Sequence, residues 1–188
     1  APESLMDSFE AERRPHTKQM QDLAVRFGKV LQTTSPRMAK VRDRVMPALE
    51  RIGVTAWTRE NIKPVPEYPA GAFSARPGRI PMRRSTGSLF PQPQVVADGA
   101  EKRLDELLGP GWALINCGAA PLGFDPGFPV FTDGVDFDCP GGEIENWMDR
   151  FGSDWVMLRP DRFVFACGSG SGRRSALVAR ERLLGAAA

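Results

Sequence analysis

Along the first sixty or so positions apolar residues recur at helical spacing, whereas along the last hundred they gather into short runs separated by turn residues. Ser4 can cap a helix that carries Leu5, Met6 and Phe9, and Pro15 predicts an end or a kink just after Glu12-Arg13-Arg14. A second helix is better marked. Met20, Leu23, Ala24, Phe27, Val30 and Leu31 fall on one face, with Gln21, Asp22, Arg26 and Lys29 turned away. Met38, Val41, Val45, Leu49 and Ile52 repeat the pattern, and Pro47 is expected to bend or split that third helix. Three narrow stripes in so short a stretch bury too little surface to offset chain entropy. They are expected to pack on a larger body, the alternative being a small three-helix bundle.

Between Lys63 and Thr86 the character changes: Pro64, Pro66, Pro69, Pro77 and Pro81 are spread among Gly71, Gly78 and four arginines. This composition predicts an extended, semi-rigid connector that lies along a surface without packed structure of its own. Beyond it the elements alternate. Glu101 to Leu108 reads as a short helix stopped by Gly109-Pro110, and Trp112 to Cys117 as a strand buried on both faces. Val130-Phe131 is a candidate short strand, and Ile144, Trp147, Met148 and Phe151 mark a helix from Glu143 to Phe151. Trp155 to Arg159 and Phe163 to Cys167 flank Pro160-Asp161-Arg162 as a β-hairpin. A loop from Gly168 to Gly172 then leads to a final helix from about Ser175 to Leu184. Strand, helices, hairpin and helix is the order of a thioredoxin-like α/β domain. The predicted organisation is therefore a helical segment over 1–63, a Pro-rich connector over 64–87, and a thioredoxin-like domain over 88–188.

Composition narrows the classes without choosing among them. Hydrophobic residues make up 41% and charged residues 26% of the chain, as in globular proteins, which excludes wholesale disorder and collagen-like repeats. A net charge of +2 is too small for the footprint of a nucleic-acid binder. The charge is uneven, with 12 basic and 8 acidic side chains in 1–63, 4 and 1 in 64–87, and 9 and 14 in 88–188. An acidic C-terminal portion could dock on a basic N-terminal one, or each could be separately solvated. No apolar run approaches the ~20 residues of a membrane span, and the acidic start lacks the features of a signal peptide. Cytoplasmic residence is the expectation. The start at Ala1, without an initiator methionine, reads as the interior of a longer chain.

Recognisable chemistry is sparse. The sequence has no G-x-G-x-x-G fingerprint, no phosphate loop and no Ser/His/Asp set. Gly168-Ser169-Gly170-Ser171-Gly172 follows a hairpin strand and reads as a flexible loop, not a phosphate cradle. The one histidine, His16, sits beside Arg13 and Arg14 and reads as a surface or packing residue. Cys117, Cys139 and Cys167 are odd in number, widely spaced and without C-x-x-C, so they read as reduced thiols and not as a zinc site. Cys117-Gly118-Ala119-Ala120-Pro121 follows the first long strand, where a thioredoxin keeps its redox pair, but the second cysteine is missing. Cys117 is then a buried apolar thiol or, at most, a lone reactive one.

Five stretches carry a resemblance: 1–31 with its Glu12-Arg13-Arg14-Pro15-His16, KPVPEYPAGAF at 63–73, GSLFPQPQV at 87–95, LDELLGPGWALI at 104–115, and WVMLRPDRFVFACG at 155–168. In this order they resemble the C-terminal third of flavoprotein aromatic hydroxylases, the 3-(3-hydroxyphenyl)propionate hydroxylases and similar phenol or resorcinol hydroxylases in particular. The resemblance implies a parent enzyme in which NAD(P)H reduces FAD and oxygen then yields the hydroxylating flavin species. It places the FAD motifs upstream of the Glu12 helix, and so outside these residues. No catalytic, cofactor-binding or metal-binding residue is carried over. The expected partner is the missing flavin and substrate domain, with self-association through the exposed helix faces of residues 5–52 as a further expectation. The alternative is a stand-alone thioredoxin-like interaction module, or, more weakly, a one-cysteine redox or thiol-conjugating protein using Cys117.

Overall fold

The computed structural model describes residues 3–53, 67, 68, 71–73, 85–118 and 125–185. The five connector prolines and Ala119-Ala120-Pro121 lie outside the described residues, as do the side chains of Leu5, Met6, Val30 and Leu31. The first two expected helices are one: α1 runs from Glu3 to Leu31 with Pro15 inside it. A proline removes a single i to i−4 hydrogen bond, and a helix of this length keeps its bonds on both sides. The turns flanking Pro15 are braced by Arg14–Glu10 and Lys18–Asp22 pairs, each 2.9 Å. The third expected helix is α2, Pro36–Arg51, which likewise continues through Pro47 and starts on a proline that needs no intrahelical donor. None of its side chains is buried, and Met38, Val41, Val45 and Ile52 stand exposed.

The region expected to be a helix from Glu101 opens instead with a hairpin. Strands β1 (Gln94–Ala97) and β2 (Ala100–Arg103) pair antiparallel around Asp98-Gly99. Both turn residues have positive φ, 53° and 73°, as a type I′ turn demands. The helix α3 is only Leu104–Leu108, fixed by a hydrogen bond from the Leu104 N–H to the Pro93 carbonyl.

A four-stranded sheet follows, in the order β4-β3-β5-β6, from β3 (Ala113–Asn116), β4 (Val130–Thr132), β5 (Trp155–Leu158) and β6 (Val164–Gly168). β3 and β4 run parallel, and the other two pairings are antiparallel. Because side chains alternate along a strand, each strand serves both faces. Ile115, Val156 and Leu158 pack with Leu104, Leu108 and the buried face of α4 (Glu143–Phe151), where Ile144, Trp147 and Met148 stand at the expected spacing. Leu114, Trp155, Met157 and Phe165 pack on the other face with Ala176 and Leu177 of α5 (Arg173–Leu184). This is the mixed α/β architecture expected over 88–188, a sheet between two helical layers.

Two further differences concern segments read as loose. Part of the described connector is packed: Tyr68, Ala72 and Thr86 are buried. Residues 87–90 lie along the free edge of β6, with Gly87 N–H on Val164 O, Val164 N–H on Ser88 O and Phe90 N–H on Arg162 O. That edge would otherwise offer unpaired backbone groups. The Gly168 to Gly172 stretch is an ordered turn, with Gly170–Gly172 forming one turn of 3-10 helix that enters α5 at Arg173, two residues before the expected start. An added Cβ at Gly168 or Gly172 would come within 3.3 Å of the Trp155 ring, so the glycines here give the indole room. Among the described residues no helix is long and apolar enough to cross a membrane.

Candidate functional site

Three of the five phrases that carry the resemblance lie far apart in sequence and meet at one place. Glu12 of α1 is 4% exposed, and its carboxylate accepts two hydrogen bonds from Arg159, from Nη1 at 2.8 Å and Nη2 at 3.0 Å. The Ala72 N–H donates to the same carboxylate at 2.8 Å. Arg159 also binds Asp161, through Nε at 3.1 Å and Nη2 at 2.9 Å, and its guanidinium lies 4.8 Å from the centre of the Phe73 ring. Such a two-pronged arrangement matches the fixed fork of arginine. Burial alone would lower the Arg159 pKa, but the hydrogen bonds it donates to Glu12 and the charges of Asp161 and Glu12 outweigh it, and the net displacement is upward.

Around the pair the packing is close. Tyr68 stacks on Phe163 with centroids 4.1 Å apart, and Arg13 sits 5.8 Å above the Tyr68 ring. Burial raises the Tyr68 pKa. A Cβ on Gly71 would fall 2.2 Å from Glu12 Cγ, so the connector can approach the carboxylate here only as glycine. Arg162, held at a positive φ of 65°, turns the other way and donates to Asp105 at 2.6 Å and to the carbonyls of Gly109 and Gly111. It thereby satisfies acceptors at the end of α3, where a helix leaves carbonyls unpaired. In Leu158-Arg159-Pro160-Asp161-Arg162-Phe163, then, one arginine fastens α1 and the other fastens α3. The remaining phrase has the same character: Phe90 is buried against Trp147, with ring centroids 4.9 Å apart. His16, in the same α1 phrase, keeps Nδ1 buried without a hydrogen-bond partner in the structure.

The second feature is a cleft of about 570 Å³ at the carboxyl ends of β3 and β4, lined by Cys117, Asp133, Asp138, Cys139, Glu145 and Asp149 among others. Cys117 follows β3 and Asp133 follows the parallel strand β4, so the sheet itself sets them side by side. The Cys117 thiol lies 3.9 Å from Asp133 Oδ2. Burial, with the charge of Asp133 next, pushes that thiol up to about 12, and burial together with Glu145 raises the Asp133 carboxyl. A thiol so poorly acidic is almost wholly protonated near neutrality, which disfavours Cys117 as a lone nucleophile. Cys167, the third cysteine, is buried and points at Ser85 Oγ, 3.0 Å away. Among the described residues no group of three or more His, Cys, Asp and Glu side chains is suited to a metal ion. FAD does not fit this cleft either: its lining is carboxylate and thiol, and a pyrophosphate calls for backbone N–H groups or cations.

Residues 87–125 match the family described as the HcaD C-terminal domain. A 3-(3-hydroxy-phenyl)propionate/3-hydroxycinnamic acid hydroxylase of Mycobacterium sp. (strain KMS) is 31% identical over 196 residues, covering 87% of this chain and 33% of the hydroxylase. The chain resembles the C-terminal part of FAD-dependent aromatic-ring hydroxylases. It spans about a third of the length of the curated hydroxylases it matches. The flavin-dependent monooxygenase PieE, solved with FAD and substrate, aligns with 98% of the chain and 40% of its own at a TM-score of 0.61 and 18% identity. Aklavinone-11 hydroxylase, solved with FAD and aklavinone, aligns with 98% of the chain and 36% of its own at 0.60 and 21%. At these identities the likeness to the two solved hydroxylases is one of fold.

Sequence reasoning found the phrases that meet at the junction but not their meeting. Glu12, Arg159 and Gly71 each look like ordinary surface or loop residues when read along the chain. Asp133 gave no signal, because parallel strand pairing, and not sequence spacing, brings it to Cys117.

Proposed function

We propose that this chain is the C-terminal portion of a flavoprotein monooxygenase that hydroxylates phenolic compounds with NAD(P)H and O2, and that FAD is held by a part of the enzyme outside residues 1–188. The observation that carries this reading is the convergence of three resemblance-bearing phrases, 1–31, 63–73 and 155–168, on the buried Glu12–Arg159 junction. A chance likeness of scattered phrases has no reason to meet in space. In this reading residues 1–63 are the helical tail of the flavin and substrate domain, 64–87 a connector, and 88–188 a thioredoxin-like domain without C-x-x-C. The sheet order β4-β3-β5-β6, with a parallel pair followed by an antiparallel hairpin and a closing helix, supports the thioredoxin-like assignment.

The domain's role is support: it grips α1 at Glu12 and leaves other helical surfaces free. Phe9 and Val25 of α1 and Met38, Val41 and Val45 of α2 are all exposed, an apolar surface suited to the flavin-bearing part. The direct test is to titrate residues 1–188 with FAD and follow flavin absorbance and fluorescence. No binding is expected, and stoichiometric binding would overturn the placement of the cofactor. The longer protein containing this segment, supplied with FAD, NADH or NADPH and a hydroxyphenyl carboxylic acid, is expected to consume oxygen and release a product bearing one more hydroxyl. Failure of a properly folded, flavin-loaded protein to do so with any phenolic substrate would overturn the activity.

A further inference from the structure

Arg180 of α5 is a cation held in place without a carboxylate to pair with. Its guanidinium carbon lies 5.1 Å from the centre of the Trp112 ring and 4.6 Å from that of Phe128. Its Nε is buried with no hydrogen-bond partner, and among the described residues no carboxylate lies within ion-pair distance of it. Burial lowers its pKa, and the charge of neighbouring Glu181 offsets this only in part. With rings against the guanidinium, the planar fork of donors is what remains to be satisfied, and that fork matches a carboxylate. Trp112, Phe128, Val130 and Leu183 stay partly exposed around it. An arginine among half-exposed aromatic and aliphatic side chains has the composition of an interface hot spot. Trp112 directly precedes β3 and Phe128 lies two residues before β4, so this rim sits at the amino ends of the parallel pair.

The acidic cleft opens at the other, carboxyl ends of the same two strands. Asp133, Asp138, Glu145 and Asp149 line it, with no lysine or arginine among the described lining. Glu145 and Asp149 stand exposed one turn apart on α4. The strands between rim and cleft span about 15 Å, so Arg180 does not pair with the cleft of its own chain. We propose that the Arg180 rim of one copy of this chain docks in the acidic cleft of a second copy, its guanidinium pairing with Glu145 and Asp149. Charge supports the match: α5 carries four arginines against one glutamate, and the cleft presents carboxylates alone. Shape supports it as well, since a rim meets a concave surface of about 570 Å³. The two patches differ, so the contact is head-to-tail, and each copy can hold one neighbour at its rim and another at its cleft.

Sedimentation velocity of the 188-residue chain tests this. Val41→Asp with Val45→Asp, both on exposed positions of α2, serves as the parent, so that association through the helical stripe is removed. The parent is expected to grow with concentration and to dissociate with added salt. Arg180→Ala should weaken association by about tenfold or more, and Glu145→Lys with Asp149→Lys should do the same from the other side. Mixed in equal amounts, those two variants should form a dimer and nothing larger, because the mixture holds one intact rim and one intact cleft. Arg180→Lys keeps the stem over the rings and loses the fork, so it should also weaken association, and it replaces the alanine variant if that one fails to fold. The proposal is overturned if the parent stays monomeric at about 1 mM. It is equally overturned if association survives the loss of Arg180 or of the two carboxylates, or if the two variants fail to combine.

Discussion

Replacing Arg159 with Met removes the guanidinium that neutralises Glu12 while keeping most of the aliphatic bulk. The Glu12 side chain is 5% exposed, and Ala72 N–H would be its only remaining donor among the described contacts. Removing one member of a buried pair costs about 3–5 kcal/mol, because the other charge stays out of water. The reverse change, Glu12→Gln, is milder for a structural reason. Arg159 retains both contacts to Asp161, and the glutamine can still accept from Ala72, so about 1–2 kcal/mol is expected for exchanging a charge-assisted bond for a neutral one. The two variants should therefore differ by about 2 kcal/mol with Arg159→Met the worse, and the double variant should be better than additive. Urea denaturation followed by tryptophan fluorescence reads the stability, since Trp147 and Trp155 are buried in the two hydrophobic layers. Trypsin cleavage after Arg13 reads α1 separately, in case the helix detaches before the sheet unfolds. Because the pair is buried, the effect should change little with salt. An Arg159→Met protein within about 0.5 kcal/mol of wild type, with unchanged cleavage at Arg13, would refute the idea that this pair holds α1 in place.

Gly87 has φ of 85°, and a Cβ there would sit 2.4 Å from the Tyr68 carbonyl oxygen, so Gly87→Ala is expected to cost about 2 kcal/mol or more in thermal or urea unfolding and to expose the β6 edge. Ile115→Ala, at a side chain with no exposed area in the first hydrophobic layer, is expected to cost about 2–5 kcal/mol by the same measurement, with no effect on cleavage at Arg13 beyond that global loss. Cys117 carries an alkaline pH dependence. Its folded pKa, about 12, lies above the ordinary thiol value of 9.0, so its contribution to stability is whole below pH 9 and is lost as pH rises towards 12. The stability difference between wild type and Cys117→Ala should shrink over that window, and a difference that stays flat with pH would contradict the burial and charge argument.

What the chain disclosed in advance follows from the range of the forces involved. The helix from Glu143 to Phe151 and the hairpin around Pro160-Asp161-Arg162 were legible because their signals are local: an apolar stripe at helical spacing, and two β-branched or aromatic runs on either side of a turn. The β1–β2 hairpin was missed although Asp98-Gly99 is a strong turn signal, because only one of its strands buries a full face and β2 is almost wholly exposed. Proline was overweighted at 15 and 47, where the rest of a long helix outvotes one lost hydrogen bond. The Glu12–Arg159 pair, 147 residues apart, has no local signature at all.

That last failure bears on how the molecule is divided. By composition the helical segment, the connector and the α/β domain look like three distinct pieces, and the uneven charge left open whether the outer two dock or are separately solvated. The contacts bind them differently. Glu12 belongs to the first piece, Tyr68, Ala72 and Phe73 to the second, and Arg159 and Phe163 to the third, and the burial of each depends on the other two. A cut after Gly87 would therefore leave Arg159 facing Asp161 alone and expose the Phe163 ring on which Tyr68 stacks. Residues 88–188 produced by themselves should be less stable than the same residues within the full chain, and adding residues 1–73 as a separate polypeptide should restore part of the difference. Equal urea midpoints for the short and the full chain would mean that the junction forms only after the α/β domain is already as stable as it will become, and that the ion pair contributes nothing to it.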